Sequence, residues 1–196
     1  MKITIKLLLS KILILLVFMG VGFSLTACDK DNLSDCTDCK IFLTANQPSG
    51  NLGGSAGADA ACMADANYPG AGTYKALIVD ANRVASVTAN TGDGQVDWVL
   101  HPNTTYYRMD GTTKIMTTNG NGIFVFGTLT TNFGGANTWT GLSSDWTNGS
   151  IDCTNWTDGT NGVSGRTGNG SITNFAAISD IVTTCDVSRA LYCVEQ

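Results

Sequence analysis

The chain contains a single histidine, His101, and a single glutamate, Glu195. It carries no G-x-S-x-G elbow, no H-E-x-x-H and no phosphate loop. His101 stands beside Pro102 with no Ser, Cys or carboxylate constellation to work with, and is read as structural. These absences remove the common hydrolase, zinc-peptidase and nucleotide sites, and the sequence reads as a non-enzyme. Basic charge is also scarce, with 11 Lys and Arg against 16 Asp and Glu. Such a chain repels phosphate backbones, sulfated glycans and anionic lipid faces, which excludes nucleic acid as a partner. A long apolar run is missing too. The longest, Ile12 to Leu25, has 14 residues, short of the roughly 20 that a membrane-spanning helix needs.

What that run does fit is the h-region of a signal peptide, preceded by Lys2, Lys6 and Lys11. It ends in Leu25-Thr26-Ala27-Cys28, the Leu-x-small-Cys pattern of a bacterial lipobox. Residues 1–27 are therefore expected to be cleaved and Cys28 to be acylated. Each buried CH₂ contributes about 0.8 kcal/mol, so two or three acyl chains anchor a protein stably to the bacterial membrane. Cleavage removes three lysines, and the remaining eight basic residues against 16 acidic ones give a formal charge of about −8. Residues 28–39 are polar and acidic and read as a tether to a domain spanning 40–196. Ten flexible residues reach about 17–20 Å. The expected location is the outer membrane or cell surface.

With Cys28 set apart, six cysteines remain in an exported chain: Cys36, Cys39, Cys62, Cys153, Cys185 and Cys193. Disulfides are the default there, and spacing alone does not fix their pairing. Cys36-Thr37-Asp38-Cys39 is a C-x-x-C, but Asp35 and Asp38 disfavour a reactive thiolate, and no second C-x-x-C supplies zinc ligands. A local disulfide at the neck of the domain is the expectation.

Hydrophobic patterning predicts strands at 40–44, 74–79, 138–142 and 190–194, a further apolar segment at 97–100, and a short helix over 58–66. In that helix Asp59 would face the N-terminal dipole. A hairpin is predicted from 105–108 to 113–116 around Asp110-Gly111, with a second turn at 119–122 leading into 123–126. One early helix, many short strands and long glycine-rich connections indicate an α+β fold with a mostly antiparallel sheet. The connection from Ser143 to Ile172 is long, and Cys153 and Cys185 can tie it down. Trp98 and Trp139 lie in apolar strands and are expected in the core. Trp146 and Trp156 have two readings, core residues or an exposed platform on which a sugar face stacks. Asp145, Asp152 and Asp158, with Asn148, Asn155 and Asn161, offer oxygens of the kind calcium takes, but not in EF-hand spacing. A solvated acidic loop is expected, and no cofactor.

The motifs GADAAC, GTYKALIVD, DWVL, YYR, WTGL, CTNW and the closing LYCVEQ together resemble leptospiral surface lipoproteins that share a C-terminal domain. That domain is in turn similar to the endostatin domain of collagen, within the C-type lectin-like fold. The resemblance covers about 40–196. It implies a C-type lectin-like, endostatin-like domain with long disulfide-stapled loops, in which Cys62 bonds Cys193 and Cys153 bonds Cys185. Endostatin's arginine clusters and N-terminal histidines have no counterpart here, so heparin and zinc binding do not carry over. The Glu-Pro-Asn type of calcium motif is missing as well. The function expected is attachment to a host matrix protein or neutral glycan through Trp146, Asp152, Asn155, Trp156 and Asp158. The alternative is an envelope lipoprotein with a purely structural or protective role.

Overall fold

The computed structural model describes residues 36–196; the expected signal peptide, Cys28 and most of the expected tether lie outside them. The larger sheet has five strands in the order β2 (Tyr74–Ala76), β8 (Tyr192–Glu195), β1 (Asp38–Leu43), β3 (Thr105–Arg108) and β4 (Lys114–Thr117). All neighbours are antiparallel except β1 and β3, which run parallel from Asp38↔Thr105 to Ile41↔Arg108. A smaller antiparallel sheet joins β5 (Asn137–Trp139), β6 (Ser164–Asn169) and β7 (Val182–Thr184). The fold is α+β and mostly sheet, with one short early helix, as the sequence indicates.

Alternation along the central strands divides the core in two. Ile41, Tyr192 and Val194 face one cluster with Tyr106, Phe124 and Trp146, while Phe42 and Cys193 face another with Cys62, Trp139 and Trp156. The helix α1 (Gly54–Ala64) begins earlier than its alanine run suggests, because Gly53 takes a left-handed conformation at φ 81° and starts the first turn. Asp59 consequently sits mid-helix. It accepts the Ala76 N–H at 2.8 Å and binds Arg83, so its role is lateral pairing instead of dipole compensation.

The connection after Ser143 is not a plain loop. It contains β6, whose sequence SGRTGN has no strand signature but whose glycines meet a packing demand. A Cβ at Gly165 would stand 2.6 Å from the Cys153 sulfur, and one at Gly168 would stand 2.2 Å from the Ala177 carbonyl oxygen. Close approach of the small sheet to its cover selects glycine there. The apolar runs at 97–100 and 123–126 form no strand; their residues enter the core from irregular, hydrogen-bonded loops.

Three disulfides close the structure: Cys36–Cys39, Cys62–Cys193 and Cys153–Cys185. The second joins α1 to β8, and the third holds the Trp139–Gly162 segment against the residue that follows β7.

Candidate functional site

The polar segment from Trp139 to Gly162 is held by its indoles. Trp139, Trp146 and Trp156 are at most 1% exposed. Each N–H donates to a backbone carbonyl: Trp139 to Pro48 at 3.1 Å, Trp146 to Phe124 at 3.1 Å, and Trp156 to Val79 at 2.9 Å. Burial with a satisfied N–H is what anchors an otherwise polar loop. The exposed-platform reading of Trp146 and Trp156 is therefore corrected; both are core, and they belong to different clusters. Trp98, expected in the core, is only half buried, with its N–H on the Gly122 carbonyl at 2.8 Å.

The remaining members of that predicted site do structural work. Asp152 is buried, and its carboxylate accepts the Asn155 N–H at 3.0 Å. Asn155 is exposed, but its side-chain oxygen accepts the Ala81 N–H at 2.9 Å. Asp158 accepts the Thr160 N–H at 2.9 Å. Asp145 accepts from the hydroxyl and N–H of Thr147, which hold its carboxyl below the usual range. Among the described residues no three His, Cys, Asp or Glu side chains converge as a metal site.

Between Asp152 and Asp158 lies a turn of reversed hand. Cys153, Thr154, Asn155 and Trp156 have φ of 52°, 58°, 54° and 60°. For residues with a Cβ this conformation costs about 1–2 kcal/mol each. Several bonds overdetermine it. Cys153 is bridged to Cys185, and the Trp156 carbonyl accepts the N–H groups of Leu52 and Gly53 at 2.9 and 3.0 Å, at the threshold of α1. Thr154 is exposed, and its β-branched side chain makes the conformation most unfavourable. Thr154→Gly is expected to stabilise the protein by up to about 1 kcal/mol, the relieved strain less the larger unfolded entropy of glycine. A urea-midpoint comparison with Thr154→Ala, which keeps the Cβ strain, checks this; a glycine variant that unfolds at lower urea than the alanine variant would show the turn to be unstrained.

A different surface exposes large apolar side chains. A groove of about 340 Å³ runs between the Ile123–Phe126 segment and Phe175. Its floor is aromatic: the Phe124 ring meets Trp146 edge-on at 4.6 Å, and Phe126 stacks on the same indole at 5.9 Å. On its rim Val125 is 66% exposed and Phe175 is 53% exposed, with Asn90 and Ser144 as polar neighbours. The Asn90 N–H is tied to the Asp145 carbonyl at 2.8 Å, and Asn174 caps the 3-10 turn Phe175–Ala177. Sequence reasoning missed this pairing. The 123–126 run reads only as an apolar segment after a turn, and nothing local connects it to Phe175.

Fold and surface together define a disulfide-stapled α+β domain of two sheets that presents a loop-built apolar groove. The chain belongs to the family described as Protein of unknown function (DUF1554), whose model matches residues 45–173. The match includes α1 and the Trp139–Gly162 segment, while Cys185 and Cys193, the partners of Cys153 and Cys62, lie beyond its end. No curated protein matches the chain.

Proposed function

We propose that this is a lipid-anchored envelope protein whose domain, of the C-type lectin-like and endostatin-like kind, binds a host matrix protein or a neutral glycan at the surface of the outer membrane. The observation that carries the reading is the pair of exposed apolar side chains, Val125 and Phe175, on a groove with an aromatic floor. An apolar rim with one amide and one hydroxyl suits the C–H face of a sugar or an apolar side chain of a protein. The acidity of the chain favours a neutral glycan or a basic protein patch over heparin. Anchoring rests on the Leu25-Thr26-Ala27-Cys28 pattern, and among the described residues no helix is long and apolar enough to cross a membrane. Many anchored copies on one membrane would give avidity to a site that is weak alone.

The test has two parts. Cys28→Ala should abolish acyl labelling and detergent-phase partitioning, and unchanged partitioning removes the anchor. The full chain in lipid vesicles is then screened against neutral glycans and matrix proteins, with and without calcium. Val125→Asp with Phe175→Asp should weaken any binding found by at least about tenfold, the scale of a lost central anchor. A double variant that binds like the parent would move the site elsewhere, and a screen with no binder would favour a purely protective role.

A further inference from the structure

A second groove opens where two parallel strands part. The last pair of β1 and β3 is Ile41↔Arg108; β3 then turns off at Met109, while β1 continues to Leu43. The gap holds about 370 Å³, within the range of small-ligand sites. Phe42, Leu43, Met109 and Phe133 form apolar walls, with Arg108 and Asn67 as the polar side chains.

Arg108 is held ready there. Its Nε and Nη2 donate to the Asn132 carbonyl at 3.1 and 2.9 Å, and Nη2 also donates to the Asn132 side-chain oxygen. Asn132 is fixed in turn by a bond from its amide to the Ser171 carbonyl at 3.0 Å. Nη1 has no partner among the described residues, and no carboxylate pairs with Arg108. Among the described residues the ion pairs are Lys75–Asp97, Arg83–Asp59 and Arg83–Asp97. The nearby acids are committed elsewhere. Asp110 accepts from the N–H groups of Thr112 and Thr113 and from the Thr113 hydroxyl, and Asp65 accepts the N–H groups of Ala45, Asn46 and Asn67. Arg166 and Arg189 likewise have no ion pair with a described carboxylate, so what sets Arg108 apart is its place on the groove. One backbone donor points the same way. The Thr44 N–H goes to the carbonyl of Leu191, just before β8, so strand alternation turns the Leu43 N–H to the side that β3 has left.

We infer that this groove binds a small apolar organic acid, its carboxylate on Arg108 Nη1 and the Leu43 N–H, its hydrocarbon body between Leu43 and Met109 over the Phe133 ring. The site is separate from the Val125–Phe175 groove and does not depend on it. The fixed guanidinium is already in place for a charge-assisted bond, so little ordering is left for the ligand to impose.

The probe is 3-phenylpropionate, titrated into the full chain by calorimetry, with 3-phenylpropanamide as its neutral counterpart. The acid should bind at least about tenfold more tightly than the amide, the scale of one charge-assisted hydrogen bond. Arg108→Gln should remove that preference, and Arg108→Lys should restore part of it. Because Arg108→Gln also breaks the Asn132 contact, Met109→Glu serves as a second variant, placing a like charge in the groove with the clamp intact. It should weaken the acid by at least about tenfold as well. No heat from the acid, equal binding of acid and amide, or acid binding unchanged in both variants would each overturn the assignment. A tenfold preference for N-acetyl-alanyl-phenylalanine over 3-phenylpropionate would overturn the small acid in favour of a chain terminus.

Discussion

Removing the Cys62–Cys193 bridge, by Cys62→Ala with Cys193→Ala, is expected to cost about 5 kcal/mol, as an upper figure. The bridge closes 131 residues of chain, and on the chain-entropy account that loop restricts the unfolded state by about this amount. The Cys153–Cys185 loop, with a separation of 32, lies inside it and would contribute about 4 kcal/mol by the same account. With the inner bridge intact the outer loop is effectively shorter by those residues. The entropy varies only as the logarithm of length, so the expected loss stays near 4.7 kcal/mol. Both sulfurs are fully buried between α1 and β8, so the loss of their packing adds to the effect. Domains of ordinary stability have about 5–15 kcal/mol in total. The urea midpoint should therefore fall by about 2 M, and the m-value should rise as the unfolded chain expands. A loss under about 1 kcal/mol would show that the unfolded chain is already restricted in some other way.

The parts legible in sequence are those with local signatures. The β3–β4 hairpin is announced by Asp110-Gly111, and Asp110 indeed organises the turn, with bonds from Thr113 and Thr112 that lower its carboxyl to about 2. The strands at Lys40, Tyr74 and Tyr192 carry apolar, β-prone runs. Other features depend on partners distant in the chain. β6 is a strand because Trp139, Cys153 and Ala177 leave room only for glycine at Gly165 and Gly168. The indoles of Trp146 and Trp156 sit in a stretch as polar as any solvent loop. Their burial is decided by the carbonyls of Phe124 and Val79, 22 and 77 residues away. The same holds for the sites: Val125 meets Phe175, and Arg108 meets Leu43, through tertiary structure alone. Arg83 drew no notice in the sequence at all, yet it has the most completely bonded side chain described here.

Arg83 is 1% exposed, and all five of its N–H groups are used. Nη1 and Nη2 grip the two oxygens of Asp59 at 2.8 and 2.7 Å, Nε and Nη2 reach one oxygen of Asp97 at 3.0 and 2.5 Å, and Nη1 also bonds the Ala76 carbonyl at 2.9 Å. The guanidinium thus locks α1, the end of β2 and the following loop together. Arg83→Met keeps much of the volume but leaves two carboxylates facing each other, Asp59 with no cation and Asp97 with Lys75 alone. Breaking one partner of a buried pair costs about 3–5 kcal/mol. The Asp59 and Asp97 side chains remain 21% and 39% exposed, which places the expected loss near the lower end, about 3 kcal/mol. Arg83→Lys should recover little, since one ammonium cannot serve two carboxylates and a carbonyl. The triple variant Arg83→Met, Asp59→Leu, Asp97→Val should lose less than the single one, because no carboxylate is left facing another, although Lys75 loses its Asp97 partner and the Ala76 N–H its Asp59 acceptor. The loss should also depend on pH. Burial acts to raise the Asp97 carboxyl, but the hydrogen bonds and charges of Lys75 and Arg83 outweigh it and hold it below its ordinary value. A carboxyl depressed in the folded state contributes stability above its unfolded pKa of about 3.9 and loses it as pH falls through the lower folded value. In Arg83→Met the share that Arg83 supplies is gone while that of Lys75 remains, and protonation of Asp97 relieves its repulsion with Asp59. The stability gap between parent and variant should therefore be widest near neutral pH and should narrow as the pH falls below about 4, in unfolding curves measured across that range. A gap that is constant with pH would mean that Arg83 acts through packing and its Ala76 bond, and not through its two carboxylates.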